Sequence, residues 1–176
     1  MAATLITGAN KGLGLETARR LVAAGHTVYL GSRDLERGHR AAKQLGAKVV
    51  QLDVTDEASV ASAVQAIGAD GELDVLVNNA GIAPEWNSDD TVVGAADVTA
   101  DVMRKTFETN VYGIVRVIHA FLPLLQRSTA SVVVNVSSGL ASLTRVATPG
   151  TPTHAYPGVA YPASKAAVNM ITVQYA

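Results

Sequence analysis

The stretch Ala3-Thr4-Leu5-Ile6-Thr7-Gly8-Ala9-Asn10-Lys11-Gly12-Leu13-Gly14 decides the fold. Ala3 to Thr7 is a short apolar strand that runs straight into a glycine-rich turn. A helical stretch follows from about Leu15 to Ala24, Gly25 ends it, and His26 to Gly31 reads as a second strand. This is a βαβ unit of about 30 residues. The glycine spacing is neither the Gly-x-Gly-x-x-Gly dinucleotide fingerprint nor a P-loop, because no Gly-Lys-Ser/Thr closes it. The physics is still that of a phosphate site. Glycines let the backbone approach a pyrophosphate, and a helix N-terminus offers free N–H groups and a positive dipole end. A plain tight turn is the alternative; glycines at 8, 12 and 14 of one strand-to-helix junction favour the phosphate.

Working outward, the end of the second strand bears on the choice of nicotinamide cofactor. A carboxylate there would hydrogen-bond a ribose 2′-hydroxyl, as NAD requires. Leu30-Gly31-Ser32-Arg33 offers no acid, and Arg33 is positioned for a 2′-phosphate. Lys11 in the glycine turn and Arg37, one helical turn beyond Arg33, add positive charge. Asp34 beside Arg33 works against this, and solvated bases at element ends are the plainer reading.

Strands and helices then alternate. Asp34 to Leu45 reads as a helix ended by Gly46, and Lys48 to Leu52 as a third strand closing on Asp53. Thr55 is expected to cap the next helix, which buries Val60, Val64 and Ile67. Asp74 to Val77 is a fourth strand ending in Asn78-Asn79-Ala80-Gly81. The pattern predicts an α/β fold with a doubly wound parallel sheet. Ligands of such sheets sit beyond the C-terminal strand ends, where Gly8, Arg33, Asp53 and Asn78 to Gly81 all fall.

Ile82 to Ala100 reads as polar loop, with Asp89-Asp90 in a solvated turn. Thr99 is expected to cap a long helix carrying Met103, Phe107, Val111, Ile114, Ile118 and Leu122 on one stripe. Asn110 lies on or near that stripe, and an amide there must be hydrogen-bonded. His119 is expected to pack. Ser131 to Val136 is a fifth strand ending in Ser137-Ser138. The Asn135-Val136-Ser137 sequon is set aside, because it falls in a buried strand. Gly139 to Ala160, rich in Pro and Gly, reads as a long loop, and such loops are often functional.

That loop ends at Tyr161-Pro162-Ala163-Ser164-Lys165, where a helical pattern begins. Tyr161 and Lys165 are four apart and share one helix face. Most such pairs are simply surface pairs. A lysine ammonium beside a phenol nevertheless favours the phenolate, which suits acid–base chemistry.

At 176 residues the chain is expected to form one domain, residues 1–176, with a sizeable core. A net charge of −1 argues against a nucleic-acid or anionic-membrane partner. There is no cysteine, hence no disulfide framework or thiolate metal site. The four histidines show no ligand spacing, so no metal is expected. No apolar run reaches the roughly 18 residues of a membrane span and no charged leader precedes Ala3, so a cytoplasmic protein is expected.

These features together resemble the short-chain dehydrogenase/reductase family over essentially the whole chain. The resemblance rests on Thr7-Gly8-x-x-x-Gly12-x-Gly14, Asp53, Asn78-Asn79-Ala80-Gly81, Asn110, Ser138 and Tyr161-x-x-x-Lys165, in that order. Asn10-Lys11-Gly12 and Ser32-Arg33-Asp34 with Arg37 look most like the family's NADPH-dependent carbonyl reductases. The resemblance implies a Rossmann-type NADP(H)-binding domain, with NADP(H) preferred over NAD(H). Gly8, Asn10, Lys11, Gly12, Leu13 and Gly14 would hold the cofactor at the first turn, with Arg33 and Arg37 at the 2′-phosphate. Asp53, Val54, Asn79, Ala80 and Gly81 would line its adenosine side. Tyr161 would exchange a proton with a small-molecule carbonyl or alcohol. Lys165 would tune that phenol and hold the nicotinamide ribose, Ser138 would bind the substrate oxygen, and Asn110 would hold a relay water. A two-fold homo-oligomer would pair through the long helix and the Tyr161 helix. Relative to the family the chain is C-terminally truncated: a further strand, a substrate-binding segment and a last strand would follow, and without them the fifth strand is an edge. Two other readings stay open: a non-catalytic NADP(H)-binding sensor or scaffold, and a nucleotide-sugar epimerase or dehydratase, whose usual Gly-x-x-Gly-x-x-Gly turn is absent.

Overall fold

A computed structural model describes residues 1–87 and 91–176. The Asp89-Asp90 pair lies outside the described residues. The chain divides into two compact units, residues 1–80 with 116–136 and residues 81–115 with 137–176.

The first unit holds a five-stranded parallel sheet. Its strands are β1 (Ala3–Ile6), β2 (Thr27–Ser32), β3 (Lys48–Gln51), β4 (Val75–Asn78) and β5 (Val132–Asn135), in the spatial order β3-β2-β1-β4-β5. Register is parallel throughout: Leu5 lies opposite Tyr29 and Leu76, and Leu76 opposite Val133. The order steps outward from β1 to β3, then reverses to β4 and β5, which is the doubly wound arrangement. Among the described residues β5 lies at one edge of the sheet, with Val132 and Val134 exposed.

The connecting helices are α1 (Gly12–Ala23), α2 (Leu35–Leu45) and α3 (Glu57–Asp70). Small residues at their buried faces allow close helix–sheet approach: Gly14 and Ala18 on α1, and Gly38, Ala41 and Ala42 on α2. A Cβ at Gly38 would lie 2.6 Å from Val49 Cγ2. Asp34 caps α2 by accepting from the Arg37 N–H, and Gly46 ends it in the left-handed region at φ 68°. The cap of α3 is Asp56, not Thr55. The Asp56 carboxylate accepts from the Ala58 and Ser59 N–H groups, while the Thr55 hydroxyl donates instead to Asp53. Ile6, Leu30, Val28 and Val77 form the sheet side of the core.

Asp74 fastens the starts of three strands. Its carboxylate accepts from the Ala3 N–H (2.7 Å) and the Ser128 hydroxyl (2.6 Å), and its carbonyl accepts from the Val132 N–H (2.8 Å). The Ser128 hydroxyl first, and then the Ala3 N–H, hold the Asp74 carboxyl below its ordinary pKa. A lowered carboxyl stabilises the fold fully above the unfolded-chain value of about 3.9; that contribution is lost as pH falls through the folded-state value. Asp74→Asn is expected to lower Tm near neutral pH by about 2–4 °C. The gap to wild type should close on acidification. A gap that stays constant across melts from neutral to strongly acid pH would refute the assignment.

The second unit holds α4 (Ala100–Phe107), a π turn (Glu108–Tyr112), the start of α5 (Gly113–Leu125), a 3₁₀ turn (Gly139–Ala141), α6 (Leu143–Ala147) and α7 (Ala160–Tyr175). Thr99 caps α4 as expected, accepting from the Val102 N–H. The long helix is not uniform, because the π turn interrupts it. Its buried stripe runs on through Ile118, Phe121 and Leu125. Leu122 and His119 are exposed instead. The stretch from Gly139 to Ala160 is not a bare loop, since the 3₁₀ turn and α6 occupy its first half. The α6 end is tied down by the Thr151 and Thr153 hydroxyls, which donate to the Arg145 carbonyl. On α7, Met170 and Val173 expose apolar surface, as Tyr112 does on the π turn. Among the described residues no helix is long and apolar enough to cross a membrane.

Candidate active site

In the first unit the glycine turn is built for close approach. Gly8 sits at φ 64°, and a Cβ there would lie 3.0 Å from Ala80 Cα. A Cβ at Gly14 would meet the Asn79 amide at 2.5 Å and the Gly8 carbonyl at 3.0 Å. Gly12, at φ 55°, opens α1 and faces open space, with Lys11 and Leu13 exposed around it. Lys11 occupies the N-cap position of α1 without a side-chain capping bond. A bare backbone cradle at the start of a 12-residue helix fits a phosphate group.

The turn is held from behind by β4. The Asn79 amide donates to the carbonyls of Thr7 (2.9 Å) and Gly8 (3.2 Å). The Thr7 hydroxyl accepts from the N–H groups of Asn79 (3.0 Å) and Ala80 (2.9 Å). The Asn79 side chain therefore shapes the turn. Asp53 folds its own loop in the same way, one carboxylate oxygen accepting from both the N–H and the hydroxyl of Thr55. Val54 is buried, and its carbonyl accepts from the Arg116 guanidinium at 2.7 Å.

A pocket of about 300 Å³ is lined by Asn10, Lys11, Leu15, Arg37, Arg40, Ala41 and Gln44. Lys11 and Arg37, 26 positions apart in sequence, share it. Arg37 also pairs with Asp34 at 3.1 Å. Arg33 is exposed at the end of β2 and is not among the pocket's lining residues. Arg40 escaped the sequence reading, although its place three residues after Arg37 puts both on one helix face.

In the second unit Asn110, Tyr161 and Lys165 come together. Asn110 is completely buried in the π turn, a helix variant frequent at functional sites. Its amide is satisfied, as burial demands: the oxygen accepts from the Ile82 N–H (2.8 Å), and the nitrogen donates to the Ile82 carbonyl (2.9 Å) and the Ser164 hydroxyl (3.0 Å). Ser164 in turn donates to the Tyr161 carbonyl at 2.7 Å. Tyr161 and Lys165 lie in the first turns of α7, and the Lys165 ammonium is 5.7 Å from the centre of the Tyr161 ring. Lys165 is 3% exposed, and this burial holds its ammonium below the ordinary lysine pKa. A Cβ at Gly81 would sit 3.4 Å from the Asn110 amide oxygen and 3.8 Å from Lys165 Nζ, so the bare backbone there lies against both.

Ser138 is half-buried at the head of the 3₁₀ turn, which packs against α7, and its hydroxyl accepts from the Leu140 N–H at 3.2 Å. Its neighbour Ser137 has a structural role, donating to the Asn169 side chain on α7 at 2.6 Å. Sequence reasoning missed Glu85 altogether. This acid in the Ile82–Ala100 stretch is fully buried, and its carboxylate accepts from the N–H groups of Ala160 and Tyr161 and from the Tyr156 hydroxyl. Its sequence context carries no sign of this, because an isolated acid among polar loop residues looks solvated.

The first unit's sheet order and glycine turn define a Rossmann-like, doubly wound α/β protein. The short chain dehydrogenase family model matches residues 2–176, and the chain belongs to this family, which uses a nicotinamide cofactor. It is 42% identical over 164 residues to short-chain dehydrogenase/reductase 1 of Saponaria officinalis, covering 81% of this chain and 54% of that protein. It is 34% identical to a (+)-neomenthol dehydrogenase of Capsicum annuum, covering 79% of this chain and 56% of that protein. A solved Pseudomonas aeruginosa RhlG/NADP active-site complex aligns with TM-score 0.83 and 28% identity, over 99% of this chain and 66% of that one. The chain thus spans little more than half the length of these two curated relatives.

Proposed function

We propose that the chain is the cofactor-binding and proton-transfer part of an NADPH-dependent oxidoreductase that interconverts a carbonyl and an alcohol. The observation that carries this reading is the packing of Asn110, Tyr161 and a buried Lys165 around the first turns of α7. When bound, the cofactor supplies the hydride. The Tyr161 phenol gives its proton to the carbonyl oxygen during reduction and takes it back during oxidation. The Ser138 hydroxyl donates to the same oxygen as charge develops there. Lys165, beside the Tyr161 ring, holds the nicotinamide ribose, and Asn110 keeps a relay water behind it. The direct test supplies the full-length protein with NADPH and a panel of aldehydes and ketones. Carbonyl-dependent oxidation of NADPH is expected, and its absence across the panel would sink the reading.

NADPH is preferred over NADH because Lys11, Arg37 and Arg40 converge on one pocket, with Arg33 exposed at the end of β2. No acid occupies the end of β2 to meet a 2′-hydroxyl. One charged hydrogen bond to a 2′-phosphate contributes about 1.5–3 kcal/mol, or about one to two decades in affinity. Calorimetric titration should show that gap, and it should narrow as salt is added. Equal affinities for the two cofactors would contradict the assignment.

A further inference from the structure

Glu85 has no local reason to be buried. It sits between Pro84 and Trp86 in the segment joining β4 to α4, yet it is 0% exposed. Burying a carboxylate is costly unless donors surround it, and here they do. The Tyr156 hydroxyl donates to Oε1 (2.8 Å), the Ala160 N–H to Oε2 (2.8 Å), and the Tyr161 N–H is shared between both oxygens (3.3 and 3.2 Å). All three groups are donors. Burial first, and the Glu85 carboxylate second, push the Tyr156 phenol above its ordinary pKa, so it stays a donor.

The geometry around the carboxylate is tight. A Cβ at Gly158 would lie 2.4 Å from Glu85 Oε1 and 2.7 Å from a ring carbon of Tyr156. Trp86 packs on Tyr156 with ring centres 6.4 Å apart, and the Val93 N–H donates to the Glu85 carbonyl at 2.8 Å. Meanwhile α7 has no cap of its own: the N-cap position is Val159, which makes no side-chain bond. A helix start normally takes its cap from the residue before it. Here the cap comes from 75 positions away, and it falls on the first two N–H groups of α7.

We propose that Glu85 is a positioning residue: a remote N-cap that fixes the start of α7 and thereby sets where the Tyr161 phenol stands. The inference rests on the proton-transfer reading of Tyr161. Glutamine is the informative replacement. It keeps the size of the side chain but turns one oxygen into a donor that faces donors. Displacing a reacting group by about 1 Å costs on the order of 10²-fold in rate.

Three variants of the full-length protein test this. Glu85→Gln is expected to lower kcat for carbonyl reduction about 10–100-fold while KM for NADPH stays within about twofold. Gly158→Ala pushes a methyl group against the carboxylate without touching its charge, and the same kcat-selective loss is expected; it also serves if Glu85→Gln does not fold. Amide hydrogen exchange gives a readout independent of turnover. The Ala160 and Tyr161 amides should be protected in wild type, unlike the usual first turn of a helix. They should lose at least about tenfold of that protection in either variant, while the Val168 amide in mid-helix keeps its own. Unprotected Ala160 and Tyr161 amides in wild type would overturn the cap. Lost protection with unchanged kcat would overturn the positioning role. Tyr161→Phe with full activity would overturn the catalytic reading, and the positioning role with it, while exchange still decides the cap.

Discussion

Tyr161→Phe, in the full-length protein, is expected to lower carbonyl reduction by about 10²–10⁴-fold, the usual worth of a positioned general acid. The hydrogen bonds that seat Tyr161 run through its main chain: its N–H donates to Glu85, and its carbonyl accepts from Ser164. Phenylalanine keeps both and removes only the phenolic oxygen. Folding and NADPH affinity should therefore survive, and the loss should appear in kcat. Steady-state kinetics on aldehydes and ketones, beside a calorimetric NADPH titration, separates the two. Near-wild-type turnover would move the sensor or scaffold reading ahead of the enzyme.

Lys165→Met should be comparably damaging to turnover and should also weaken NADPH binding, because the proposed mechanism uses this lysine at both the phenol and the ribose. Its effect on stability should run the other way. Lys165 is 3% exposed, and this burial disfavours its charge. Below the lowered folded-state pKa the native protein carries that unfavourable charge. Between that value and the ordinary one of about 10.4, the unfolded chain holds a proton the native state has released, so wild-type stability rises with pH. Methionine has similar length, no charge and no such slope. Its Tm at neutral pH should equal or exceed that of wild type, and that gap should narrow as pH rises into the alkaline range. A site that lowers stability in order to act is a familiar trade-off. If Lys165→Met instead loses activity and Tm together, the lysine is a structural part and not a functional one.

The sequence by itself determined the frame. Alternating apolar runs and helical stripes, punctuated by Gly25, Gly46 and Gly81, set out the strands and the helices between them. Such patterns record which face of each element meets the core, and that is a property of near neighbours. The glycine turn was legible for the same reason, since positive φ at Gly8 and Gly12 and the tight approach at Gly14 are demands of the local backbone. Tyr161 and Lys165 were legible as a pair because one helical turn joins them.

Only the tertiary structure decided the rest. The π turn at Asn110 has no sequence period of its own, and the buried side-chain amide it carries is satisfied by Ile82 and Ser164, far away in sequence. Asn79 sits in a motif that reads as a cofactor site, yet its side chain holds the glycine turn, and Ser137, beside the candidate Ser138, holds α7. The basic pocket needed α2 folded beside the first turn to bring Lys11, Arg37 and Arg40 together. Glu85 is the clearest case. A polar loop residue and a helix start 75 positions apart share no local pattern, and that a missing side chain at Gly158 leaves room for the carboxylate is visible only once the chain is folded. Hydrogen bonds between distant segments depend on where the backbone carries each group, and that is fixed only once the whole chain has packed.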